Sequence, residues 1–158
     1  MSLQVWLPLN GNFLNHGIDV PVITNVGTVE YGAGKTGEFS LFSQTSFFYF
    51  PWTHAETNQF SFSAWVNGTD PWAWQDILSF GEGLNRIEID NTLSTYRWYC
   101  TSGPALMTSG TAIFTLPKNE WHHITMTADG SYVTFYIDGS QASRHTQTNS
   151  VSSCFSTN

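Results

Sequence analysis

Apolar and polar residues alternate in short runs along this chain. Phe60, Phe62, Ala64 and Val66 share one parity and Ser61, Ser63 and Trp65 the other, which is the period-two signature of a strand with one buried face. Ile124, Met126 and Ala128 repeat it, as do Val133, Phe135 and Ile137. Those two runs are separated by Asp129-Gly130, a pair suited to a tight primed hairpin turn, and Asp138-Gly139 marks the next turn. Thr125, Tyr132, Thr134 and Tyr136 then face the opposite way, toward solvent or a ligand. No stretch of a dozen residues keeps apolar positions at i, i+3, i+4 and i+7, so helices are not expected. The pattern predicts strands at Leu3 to Leu9, Gly37 to Phe42, Ser46 to Phe50, Phe60 to Val66, Asp76 to Gly81 and Arg86 to Asp90. Further strands are predicted at Thr95 to Cys100, Thr111 to Leu116, Glu120 to Ala128 and Ser131 to Ile137. Ten short strands suit an all-β fold of two packed antiparallel sheets. Trp65, in mid-strand, is expected to matter for folding. Residues 1–140 are expected to form the domain, and 141–158, dominated by Ser, Thr and Asn with Val151 and Phe155 as apolar anchors, a tail or an incomplete set of C-terminal strands.

Composition narrows the partners. The 158 residues carry 5 Lys+Arg against 12 Asp+Glu, a net charge of −7, so no basic field draws nucleic acid or an anionic membrane. Aromatic residues make up 16% and charged residues only 11%, a balance that favours strands. No apolar run approaches the roughly 20 residues that cross a bilayer, and Met1-Ser2-Leu3-Gln4 lacks the basic and apolar regions of a secretory signal. Cys100 and Cys154 show neither metal spacing nor a disulfide framework, and whether they pair is open from sequence.

The order of segments resembles the concanavalin A-like lectin/glucanase superfamily in its laminin-G-like, jelly-roll form. The resemblance runs through Val5-Trp6-Leu7-Pro8-Leu9-Asn10-Gly11, Phe39-Ser40-Leu41, Phe60 to Asn67, Asp76-Ile77-Leu78-Ser79-Phe80-Gly81, Trp121-His122-His123-Ile124-Thr125-Met126-Thr127 and Phe135-Tyr136-Ile137-Asp138-Gly139. It implies an antiparallel two-sheet jelly-roll sandwich whose members bind sugars or extracellular surfaces. Because one such scaffold carries lectins, hydrolases and adhesion modules, function has to be argued from side chains. The opening Met1 to Gly11 is also similar to short copies of this fold in structural proteins of tailed bacteriophages. That similarity implies a virion component, extracellular after release, with other virion subunits as neighbours.

The side chains offer three kinds of site. Arg86-Ile87-Glu88-Ile89-Asp90-Asn91 resembles part of the acidic strand signature of the family's glucanases, yet the position two beyond Asp90 is Thr92. Retaining hydrolysis needs a nucleophile and an acid/base about 5 to 5.5 Å apart, so a non-catalytic chain is expected. His122 and His123, adjacent in a strand, point to opposite faces and cannot share a metal ion, one packing under the sheet and the other meeting solvent. Calcium suits the fold best, with Asp70, Asp76, Glu82, Asp90 and Asp138 as oxygen donors, but they form no calcium loop and no bound metal or cofactor is expected. Sugar binding is the favoured activity. In the turn-rich run Asn67 to Asp76, Trp72 is expected to be exposed for stacking on a pyranose, Trp74 to be structural, and Asp70 to take hydroxyls. Glu82, Asn85, Arg86, Tyr96 and Trp98 are expected on the same rim, where they would equally suit a protein interface. The ligand is a glycan or host surface, and the alternative is a decoration subunit without sugar affinity. The resembled family closes its sandwich with C-terminal strands carrying a pattern like Gly-x-Ile-Asp-Asp-x-Arg-Ile-Tyr, absent here. The Leu3 to Leu9 edge is therefore expected to pair with another chain or with a longer product.

Overall fold

The computed structural model describes residues 22–35, 37–42, 46–49, 58–68, 75–80, 85–89, 95–100 and 105–155. The chain divides into two units, Met1–Thr53 and His54–Asn158. Among the described residues it is all-β apart from one helical turn, with every strand pairing antiparallel.

In the first unit β1 (Thr24–Val26) pairs with β4 (Phe47–Tyr49), and β2 (Glu30–Ala33) pairs with β3 (Glu38–Leu41). β3 and β4 match the predicted segments Gly37 to Phe42 and Ser46 to Phe50, whereas β1 and β2 were not foreseen. Leu3 to Leu9, with its expected open edge, lies outside the described residues.

The second unit holds two four-stranded sheets. One runs β12-β11-β10-β5, from β5 (Phe60–Val66), β10 (His122–Ala128), β11 (Tyr132–Ile137) and β12 (Ser140–Thr146); the other runs β6-β7-β8-β9, from β6 (Gln75–Phe80), β7 (Asn85–Ile89), β8 (Thr95–Cys100) and β9 (Thr111–Thr115). Their inner faces meet. Ile87, Tyr96, Trp98, Ile113 and Phe114 from one sheet form a single buried cluster with Ile124, Met126, Ala128, Val133 and Phe135 from the other. The Phe114 and Phe135 rings, 6.1 Å apart, join the layers directly. At roughly 25 cal/mol per Å² of apolar area, such side chains each contribute about 1.5 to 3 kcal/mol, and this cluster is what fixes which face of every strand looks outward.

Turn chemistry sets the hairpins. Between β10 and β11, Gly130 alone has a positive φ (94°) and Ser131 follows it, the sign pattern of a type II′ turn. Asp129 secures this turn by accepting from the Ser131 and Tyr132 amides at 2.8 and 2.7 Å, and those bonds hold its carboxyl below the usual range. Between β11 and β12, Asp138 and Gly139 both have positive φ (49° and 83°), as a type I′ turn demands. The Asp138 carboxylate reaches back to the start of β10, accepting from His122 Nδ1–H and the His123 amide, both at 2.8 Å.

Of the two readings of residues 141–158, the structure has a C-terminal strand: β12 pairs with β11 over its length, and α1 (Val151–Phe155) buries Val151 and Cys154 in the core. Ser150 caps that turn, its Oγ accepting from the Ser153 amide at 3.2 Å. Trp65, expected to serve folding, is 44% exposed on the outer face of its sheet. Both cysteines are free thiols, and burial pushes that of Cys154 up to about 11.

Candidate functional site

The outer face of the β6-β7-β8-β9 sheet collects the polar chemistry. Because Asn85 and Ile87 point inward on β7, alternation turns Arg86 outward. Register places Tyr99 against Arg86 and Arg97 against Glu88, and on the other side Ser79 against Arg86 and Asp76 against Glu88. The Arg86 guanidinium lies 3.5 Å from the Asp76 carboxylate and 5.7 Å from the centre of the Tyr99 ring. Its side chain is 22% exposed against 41% for Asp76, so Arg86 is partly sheltered while its partner faces water. The pair itself adds about 0 to 1 kcal/mol to stability; its consequence is orientation, since the ion pair and the ring together fix the plane of the guanidinium. Beside it, Arg97 Nη1 donates to the Gly110 carbonyl at 3.2 Å, and the Thr95 and Thr115 hydroxyls meet at 3.3 Å.

Placement of the expected site residues is mixed. Arg86 faces outward as a ligand-contacting residue must. Asn85, Tyr96 and Trp98 do not line a rim: they are 1%, 3% and 0% exposed. Asn85 Oδ1 accepts from the Leu106 amide at 3.1 Å, Tyr96 packs against Phe114 with ring centres 4.7 Å apart, and Trp98 fills the core. Burial raises the Tyr96 hydroxyl above its ordinary value. Asp70, Trp72 and Trp74, which join β5 to β6, and Glu82, which joins β6 to β7, lie outside the described residues, as does Asp90. The residues sequence reasoning missed are Tyr99 and Arg97, the alternate row of the same strand. The signal was present: in Thr95-Tyr96-Arg97-Trp98-Tyr99-Cys100 the arginine marks the solvent row.

For catalysis, Asp76 and Glu88 are register partners, a carboxylate pair that strand-by-strand reading did not join, but Asp76 is engaged by Arg86. The two histidines part as alternation requires: His122 bonds Asp138, while His123 shares a 2.7 Å hydrogen bond with Ser63 and packs on Trp65. Among the described residues no three His, Cys, Asp or Glu side chains gather as a metal site.

Two four-stranded antiparallel sheets packed on one buried cluster define a β-sandwich. A family model, Laminin_G_3, described as concanavalin A-like lectin/glucanases superfamily, matches residues 42–158, and the chain belongs to that family. No curated protein matches it. Among solved structures it is similar to domain 4 of AbnA, a GH43 extracellular arabinanase from Geobacillus stearothermophilus, in complex with arabinotriose. The TM-score is 0.65 at 19% identity, over 96% of this chain and 79% of that one. At that identity the likeness shows the fold.

Proposed function

We propose that this chain is a non-catalytic carbohydrate-binding module that reads a glycan on the outer face of its β6-β7-β8-β9 sheet. The observation that carries this is the Arg86 guanidinium, held between Asp76 and the Tyr99 ring on a face that also bears Arg97 and the Thr95 and Thr115 hydroxyls. A fixed planar donor, an aromatic ring and short hydroxyls are what a sugar's hydroxyls and C–H faces require. The arabinotriose bound to the similar arabinanase domain supports a sugar ligand. A glycosidase needs two carboxyl groups free to act on the scissile bond, and the Arg86 contact to Asp76 argues against that use. The proposed setting is a phage particle, which rests on the resemblance of residues 1–11 and is tested by the neighbouring genes.

The test is calorimetry with a panel of arabino-, xylo- and cell-wall oligosaccharides, alongside a reducing-sugar assay. Saturable binding that Tyr99→Ala weakens by roughly 1 to 3 kcal/mol, the scale of a lost aromatic contact at a binding hot spot, with no sugar released, is the expected result. A flat response across the panel would instead favour a decoration subunit without sugar affinity. Sugar release abolished by Glu88→Gln would make it a hydrolase.

A further inference from the structure

The outer face of the other sheet, β12-β11-β10-β5, has a charge balance opposite to that of the whole chain. The protein carries 12 acidic and 5 basic side chains, yet the strands of this face, among the described residues, present one cation, Arg144, beside the His123 imidazole, and no carboxylate. The acids in its two hairpin turns are committed there: Asp129 to the Ser131 and Tyr132 amides, Asp138 to His122 and the His123 amide. Arg144 lies 3.6 Å above the Tyr132 ring, and among the described residues its guanidinium has no hydrogen bond or ion pair. Asp129 feels its charge only at a distance. A guanidinium laid flat on a ring is pre-oriented to take a carboxylate with two parallel bonds.

The far end of the same face carries Trp65, 44% exposed, against the His123 ring at 5.1 Å between centres. The Ser63–His123 hydrogen bond of 2.7 Å fixes that imidazole beneath it. Tyr132 is 40% exposed. Trp65 stands opposite His123 on β10, and Ala128, beside Val133, is near the other end, so Trp65 and Tyr132 are separated by roughly 20 Å along the strands and about 10 Å across them at standard strand spacings. Between them lie the hydroxyls of Thr125 and Thr127. That is the span of an oligosaccharide rather than of one sugar.

We infer that this face is a second binding surface, distinct from the one around Arg86, and that its ligand is an acidic oligosaccharide: a pyranose stacks on Trp65 and a uronate carboxylate is taken by Arg144. The test is titration of the full chain with a galacturonic acid tetramer and with the same tetramer methyl-esterified, which keeps shape and removes charge. The free acid is expected to bind, at least tenfold more weakly in 0.5 M salt than in 0.05 M, because exposed charges are screened. Esterification, Arg144→Ala and Trp65→Ala should each weaken binding at least tenfold without lowering the melting temperature, and Arg144→Lys should restore part of it. Absence of saturable binding, or equal binding of acid and ester, would overturn the inference. So would loss of acid binding in Arg86→Ala, which would assign it to the first face, or a concentration-dependent dimer dissolved by Trp65→Ala, which would assign this face to a second copy.

Discussion

Adjacent residues on β8 have opposite fates, and Trp98 with Tyr99 makes that measurable. Trp98 is 0% exposed, packed in the cluster that joins the two sheets, while Tyr99 lies on the outer face under Arg86. Truncating a buried tryptophan to alanine removes its transfer free energy and leaves a cavity that neighbouring strands close incompletely, a cost of about 3 to 5 kcal/mol. For a chain of this length 1 kcal/mol moves the melting temperature by roughly 2 to 4 °C, so Trp98→Ala should melt roughly 6 to 20 °C lower. Tyr99→Ala leaves no internal cavity and should cost under about 1 kcal/mol. Urea unfolding separates the two further: the midpoint should fall for Trp98→Ala with the slope unchanged. If Trp98→Ala melts like the parent yet loses glycan affinity, while Tyr99→Ala unfolds, then β8 faces the other way and the assignment of the binding face fails.

Acidification should weaken the fold through His145, which faces the inner side of β12 against Phe135 at 6.3 Å, its Nε2 buried without a hydrogen bond among the described residues. Desolvation holds its pKa below the ordinary value; the unfolded chain therefore takes up its proton first, and stability drops as pH falls through about 6.5. Denaturation midpoints at pH 7.5 and 5.5 should show this drop, and His145→Leu should flatten it. Asp138 acts lower on the scale: the His122 bond, then the His123 amide, depress its carboxyl, so its contribution is present above the ordinary aspartate value and fades only in stronger acid. At neutral pH, Asp138→Ala should destabilise more than Asp138→Asn, since asparagine tolerates the left-handed backbone of the turn; equal melting temperatures would contradict that. Glycan binding is expected to persist in EDTA, and loss of affinity restored by calcium would refute a metal-free site.

The strands with clean alternation were legible. Phe60 to Val66, the Ile124 and Val133 rows and their glycine turn sit where periodicity puts them, because one face of each carries only apolar residues. β12 was legible only as one alternative for residues 141–158, without bounds, since its inward positions are Ser143 and His145; it forms because the Asp138-Gly139 turn delivers the chain back along β11, whose backbone groups pair with any side chain. The helical turn escaped because five residues, with Val151 followed by Cys154 at i+3 and Phe155 at i+4, are too few to establish a helical period. The rim residues failed for a different reason. Tyr96 and Trp98 are chemically equal to a stacking platform, and only the three-dimensional core decides that they are packing and that Tyr99 is surface. Ser63, Trp65 and His123 were visible singly, but their grouping needs the β5–β10 register.

The account turns on the face around Arg86 being the one that holds a neutral glycan. Backbone amide shifts of the ¹⁵N-labelled chain titrated with arabinotriose and with xylo-oligosaccharides address it residue by residue. The prediction is saturable shifts centred on Asp76, Ser79, Arg86, Arg97 and Tyr99 that disappear in Tyr99→Ala. Shifts centred elsewhere, or none with any sugar, would contradict it.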